Sequence, residues 1–181
     1  MKPIIEVTQA IKGFGGQSVL QGLNFSVQPG SVVGILGNNG AGKTTLLECL
    51  IGLQRLDAGQ SQLFGESSAL LSADTKHRIG YVPQACELID WMTVRQHIDF
   101  TSSFYSGWQH DMVNELLMQW GIGDGRLINK MSLGEQQKLS IALALGHQPE
   151  LLILDEPVAS LDPSSRRAFI RQLVELNMDL G

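Results

Sequence analysis

The chain has 181 residues, 43% of them hydrophobic and 17% charged, with a formal net charge of −5. This is ordinary globular composition, enough for one substantial core with a small lobe, and it excludes a basic nucleic-acid surface. The two cysteines, Cys49 and Cys86, lie far apart without a C-x-x-C pattern and read as reduced thiols; no apolar run is long enough to cross a bilayer, and Met1-Lys2-Pro3 opens into a strand-like segment without a signal peptide.

In chain order, Ile4–Thr8 reads as a strand, Gly13–Gly16 as a turn, and Ser18–Val27 as a second strand in which Leu23, Phe25 and Val27 alternate with polar residues. Gln28-Pro29-Gly30 turns into Ser31-Val32-Val33-Gly34-Ile35-Leu36, an apolar, β-branched run expected to be a buried third strand. A helix is expected from Lys43 to Leu53, closed by Gly52, with Cys49 packed on it. Gln60–Gly65 reads as a short strand and turn, and Arg78–Gln84 as a strand ended by Pro83. Thr93–Tyr105, with Thr93 as its cap, and His110–Trp120 have helical character and form a small lobe at about residues 90–130, whose aromatic residues are expected in its core. Ser132 and Glu135 form a capping box at the head of a nearly all-apolar, buried helix running to Gly146. Leu151–Leu154 is a buried parallel strand carrying Asp155 and Glu156 at its C-terminal edge. Asp162 caps and Pro163 begins a last helix over Arg166–Met178. There is no internal repeat and no low-complexity tract.

Two stretches carry chemistry. Gly37-Asn38-Asn39-Gly40-Ala41-Gly42-Lys43-Thr44-Thr45 fits G-x-x-x-x-G-K-[ST] between an expected strand and an expected helix. Its glycines let backbone N–H groups face a phosphate chain at a helix N-terminus; Lys43 can reach β- and γ-phosphates, and the Thr44 hydroxyl can ligate Mg²⁺. The second is Asp155-Glu156, where Asp155 would hold Mg²⁺ through water and Glu156 would polarise an attacking water. Neighbours in a strand point to opposite faces, so both acids can serve one site only because the strand ends there and bends at Pro157.

In order along the chain, the phosphate loop, Tyr81-Val82-Pro83-Gln84, Met131-Ser132-Leu133-Gly134-Glu135-Gln136-Gln137, Leu154-Asp155-Glu156-Pro157 and Ser160-Leu161-Asp162 resemble the ATP-binding subunit of ABC transporters. The likeness covers essentially the whole chain. It implies an α/β P-loop NTPase with a RecA-like core, an N-terminal antiparallel β subdomain and a small helical subdomain. It places residues 1–89 in the ATP-binding core with its β subdomain, 90–131 in the helical subdomain and 132–181 in the continued core, all within one domain spanning 1–181. It further implies that Phe14 stacks on adenine, and that Gln84 touches Mg²⁺ and the attacking water. Ser132 and Gly134 are implied to bind the γ-phosphate of ATP held by a second copy of the subunit, and Asp162 to lie at the dimer interface. ATP and Mg²⁺ are the implied ligands, transmembrane permease subunits the implied partners, without nucleic acid, and the cytoplasmic face of the membrane the implied location. A soluble relative acting on ribosomes or DNA is the alternative; a stand-alone kinase or GTPase would not explain Gln84 or Ser132–Gln137.

Two departures from the family pattern stand out. The usual L-S-G-G-Q is Met131-Ser132-Leu133-Gly134-Glu135 here, which sets a carboxylate where a glutamine is usual and is similar to bacterial exporters of the ABC-2 type. The family also has a switch histidine beyond the acidic strand, a position that His77, His97, His110 and His147 do not fill. The chain is therefore expected to be C-terminally shortened and to hydrolyse ATP weakly.

Overall fold

The structure, a computed structural model, describes residues 2–157 together with Arg167 and Arg171, both helical. Ser160-Leu161-Asp162, Pro163 and the rest of the expected last helix lie outside the described residues. The chain divides into two compact units between Lys76 and His77.

The first unit is built on a four-stranded antiparallel sheet of order β2-β1-β3-β4. Strands β1 (Ile5–Phe14) and β2 (Gln17–Val27) form a hairpin around Gly15-Gly16, and β3 (Ala58–Leu63) and β4 (Glu66–Ser67) extend it from the other edge of β1. Ile5, Val7, Ala10, Leu20, Val27 and Leu63 are buried. The strict alternation of β1 breaks at Gln9, whose φ of 49° makes a bulge, and its N–H is taken by Asn24 Oδ1 at 2.9 Å. Helix α1 (Lys43–Leu50) buries Leu46, Leu47, Cys49 and Leu50 towards β3 and the 3₁₀ turn Ser68–Leu70. A short α2 (Ala73–His77) closes the unit.

The run Ser31–Leu36 is not a buried strand. Among the described residues it makes no strand hydrogen bonds, and Val32, Val33, Ile35 and Leu36 are exposed. Its composition suits a strand, but β structure exists only where a second edge supplies partners, and no described strand pairs with it.

In the second unit, β5 (Ile79–Val82) pairs in parallel with β6 (Leu151–Leu154), Ile79 opposite Leu151 and Val82 opposite Leu154. The two strands therefore begin and end together. Arg78 clamps Glu150 in two-pronged fashion at 2.6 and 2.9 Å just before both strands, a contact that holds the Glu150 carboxyl below its usual range. Helices α3 (Val94–Ser102), α4 (His110–Gln119) and α5 (Leu133–Leu145) share a core of Val94, Ile98, Val113, Leu117, Leu139 and Ala142, among others. The segment before α5 lies along the segment before α3: Val94 N–H bonds Arg126 O, Arg95 N–H bonds Asp124 O, and Ile128 N–H bonds Met92 O, all at about 3 Å. That strip fixes the head of α5 to the head of α3.

The aromatic residues of the lobe divide. Trp108 and Trp120 are half-buried against the core, but Trp91, Phe100 and Phe104 are exposed, against expectation. Phe100 in α3 and Phe104 in the turn just after it lie edge to face at 5.2 Å. His97 is buried and His147 half-buried in this unit, and burial pushes both imidazoles below their ordinary value.

Candidate functional site

The phosphate loop opens α1. Residues 37–41 are exposed, Ala41 N–H closes a turn on Asn38 O at 3.1 Å, and Gly42 is the helix N-cap with φ 90°. Only glycine fits there. Besides the left-handed φ, a Cβ on Gly42 would stand 2.7 Å from a Val19 methyl carbon. The loop thus rests directly on β2, and its main chain leaves the N–H groups of the first turn of α1 without a side-chain cap. Lys43 curls back, its Nζ donating to Gly37 O at 3.1 Å and Asn38 O at 3.2 Å, which holds its charge at the mouth of the loop. Thr44 and Thr45 follow, half-buried in the first turn.

Phe14 ends β1 at the tip of the same hairpin, opposite Gln17, and β2 reaches Val19 two residues beyond. The ring is 48% exposed, with the Lys12 ammonium 5.1 Å from its centre. Lys12 is in turn paired with Asp57 at 3.0 Å, and Asp57 also accepts the Gly13 N–H at 2.7 Å; these contacts hold its carboxyl below the ordinary range. The hairpin tip is therefore held in place, and Phe14 stays half-exposed on it.

Gln84, Asp155 and Glu156 come together in the second unit because β5 and β6 end in register. Asp155 is one residue past β6, with its N–H still bonded to Val82 O at 2.9 Å. Asp155 is 1% exposed, and among the described residues its Oδ2 has no hydrogen-bond donor. An unmet buried acceptor costs roughly 1–3 kcal/mol. A hard divalent cation or its water would satisfy this oxygen, so the residue fits Mg²⁺. Glu156 takes φ 48°, left-handed for a non-glycine residue, and this reversal turns its carboxylate to Gln84, whose Nε2 donates to Oε2 at 3.1 Å. Adjacent acids thus serve one edge by a backbone reversal at Glu156 itself, one residue before Pro157. Lys43 and Thr44 belong to the first unit, and Gln84, Asp155 and Glu156 to the second.

Ser132 and Gly134 stand at the head of α5. The capping box is complete: Ser132 Oγ accepts from Glu135 N–H at 3.3 Å, while Glu135 Oε2 accepts from Ser132 N–H and from its hydroxyl, each at 2.8 Å. Arg126, which sequence reasoning overlooked, holds the other oxygen of Glu135. The Ser132 backbone N–H, its hydroxyl and Arg126 together hold the Glu135 carboxyl below the ordinary range. Cys86 and Gln137 form a second unforeseen contact, the Cys86 thiol lying 2.9 Å from Gln137 Oε1, which ties the residues just after Gln84 to α5.

Residues 20–159 match the family described as "ABC transporter". The chain belongs to the ABC transporter family. It is 37% identical over 165 residues to the bacitracin transport ATP-binding protein BcrA of Bacillus licheniformis, covering 90% of this chain and 54% of the relative. It is 35% identical over 178 residues to the Nod factor export ATP-binding protein I of Burkholderia thailandensis, covering 95% of this chain and 58% of that protein. The chain thus spans between half and two thirds of the length of these relatives. Among solved structures it resembles CbiO1 of Clostridium perfringens, part of the ABC transporter complex CbiONQ, with a TM-score of 0.81 at 27% identity, over 99% of this chain and 76% of that one. It also resembles another ATP-binding subunit of an ABC transporter, with a TM-score of 0.82 at 27% identity over 97% of this chain and 75% of that chain. The fold is accordingly that of the P-loop NTPase domain of ABC ATPases, with its antiparallel N-terminal sheet. Among the described residues no helix is long and apolar enough to cross a membrane.

Proposed function

We propose that the chain is the ATP-binding and hydrolysing part of an ABC exporter, working at the cytoplasmic face of a membrane through transmembrane partner subunits. The phosphate loop, Gly37–Thr45, takes the triphosphate: backbone N–H groups and the first turn of α1 meet its oxygens, and Lys43 exchanges its two carbonyl contacts for β- and γ-phosphate. Phe14 covers the adenine from the hairpin tip. Mg²⁺, held by Thr44, Gln84 and Asp155, would neutralise charge on the β- and γ-phosphates. Glu156 accepts a proton from the attacking water, and Gln84, already bonded to Glu156, orients that water. Ser132 and Gly134 meet the γ-phosphate of ATP bound to a second copy, so that two nucleotides are held between two subunits. ATP then favours the closed pair, hydrolysis removes that preference, and the partner membrane subunits follow the cycle. The relative named for Nod factor export supports export as the direction.

The observation that carries this reading is the edge shared by β5 and β6, where Gln84 bonds Glu156 beside a buried oxygen of Asp155 that has no donor among the described residues. The test is Glu156→Gln in the full chain. ATP turnover is expected to fall by a factor on the order of 10² to 10⁴ with Mg-ATP binding retained. Turnover within twofold of the parent refutes the assignment.

A further inference from the structure

The head of α5 presents an electrostatic conflict. A helix N-terminus attracts a phosphate because its first-turn N–H groups and dipole are positive. Here the third residue of that turn is Glu135, so a full negative charge stands where a phosphate is expected to dock. The geometry shows how the conflict is contained. Glu135 Oε2 is turned back onto the Ser132 N–H and hydroxyl, and Oε1 is held by the Arg126 guanidinium. Arg126 is itself fixed: a second guanidinium nitrogen donates to Lys130 O at 3.0 Å, and its carbonyl accepts the Val94 N–H at the head of α3 at 3.0 Å.

We propose that Arg126 is a positioning residue for nucleotide docking: by holding and neutralising Glu135, it keeps the head of α5 receptive to the terminal phosphate of an ATP carried by a second copy of the chain. The inference rests on the docking role given above to Ser132 and Gly134. Arg126 does not touch the phosphate. It acts through Glu135, and only because this chain carries a carboxylate at that position. Two consequences set it apart from a packing residue. Its loss matters only while residue 135 is charged, and the effect weakens with salt, since the Debye length shrinks from roughly 10 Å at 0.1 M to about 3 Å at 1 M.

The experiment measures ATP-induced dimerisation of the full chain by sedimentation. A Glu156→Gln background prevents turnover, and the assay is run at low and at high salt. Arg126→Ala is expected to raise the ATP concentration for half-dimerisation about fivefold at low salt and by less than twofold at high salt. Adding Glu135→Gln to Arg126→Ala is expected to restore the parent value, and Arg126→Lys to retain most of it. Arg126→Ala behaving as the parent overturns the proposal, as does an equal defect in Arg126→Ala with and without Glu135→Gln, which marks a packing role. Gly134→Asp separates the two levels of inference. If it leaves ATP-induced dimerisation intact, or if the parent does not dimerise with ATP, docking at α5 fails and the Arg126 role fails with it. If it abolishes dimerisation while Arg126→Ala changes nothing, only the Arg126 role fails.

Discussion

Thr93 and Ser132 cap α3 and α5 with the same reciprocal pair of bonds, which makes them a matched pair for separating folding from nucleotide docking. Thr93 Oγ1 accepts from Gln96 N–H at 3.2 Å and Gln96 Oε1 accepts from Thr93 N–H at 2.9 Å; Ser132 and Glu135 repeat the arrangement at 3.3 and 2.8 Å. Removing the capping hydroxyl leaves one first-turn N–H to water and costs about 1 kcal/mol in each helix. For a chain of this size that lowers Tm by about 2–4 °C without nucleotide, so Thr93→Ala should fall in that range and Ser132→Ala at its upper end, since the Ser132 hydroxyl also donates to Glu135 Oε2. They should differ in ATP-induced dimerisation. Ser132→Ala also removes a hydroxyl that would bond the docked phosphate; a hydrogen bond to a charged group is worth roughly 1.5–3 kcal/mol, discounted here because the backbone N–H groups remain. A tenfold rise in the ATP requirement is expected for Ser132→Ala, and less than twofold for Thr93→Ala. Equal dimerisation defects in the two variants would refute the docking role of Ser132. An unchanged Tm in both would refute the energetic reading of the boxes.

Asp155→Asn replaces a buried carboxyl group whose Oδ2 has no donor among the described residues, so it should leave Tm equal or higher without ligands, while the rise in Tm produced by Mg-ATP over ATP with a chelator should disappear; a retained Mg²⁺ increment would count against Asp155. Gly146→Ala should destabilise, because its Cβ would stand 2.4 Å from two ring carbons of Trp108. Overpacking of this kind costs about 1–3 kcal/mol, and Trp108→Phe in the same chain should recover part of it in urea unfolding. His97 and His147 have folded values depressed below about 6.5 by burial. The folded state therefore binds fewer protons, stability is complete above that pH, and it declines as the pH falls through about 6.5 towards the folded values. Urea midpoints at pH 7.5 and 5.5 should show the decline, and His147→Gln should lessen it; equal midpoints would refute the argument.

Local signals were legible where one stretch of chain sets its own structure. The phosphate loop and α1 followed from the glycine spacing and the apolar positions Leu46, Leu47 and Leu50. The Ser132–Glu135 capping box and the Thr93 cap were legible too, and the structure adds Gln96 as the reciprocal partner of Thr93. Strand β6 with its acids was legible because a short apolar run ending in charge has one plausible placement in an α/β sheet. Properties that depend on distant partners were not. Ser31–Leu36 has strand composition, but no sequence feature states whether an edge is there to receive it. The Gln84–Glu156 bond spans 72 positions, and its geometry depends on the φ reversal at Glu156, for which the sequence offers only the neighbouring Pro157 as a hint. Arg126 could have been found: Glu135 departs from the family's glutamine, and a cation nine residues upstream in an acidic chain is a natural counter-charge.

The open run Ser31–Leu36 has a practical meaning for the isolated chain. Val32, Val33, Ile35 and Leu36 are exposed, with no charged residue or proline from Ser31 to Leu36 and only Gly34 to weaken β pairing. Such a segment accepts a strand from a neighbouring molecule as readily as one from its own fold. Self-association through it requires no ATP, so a nucleotide-independent, concentration-dependent aggregate is the expected hazard of handling this chain, and a lysine at Val33 is the natural gatekeeper to suppress it.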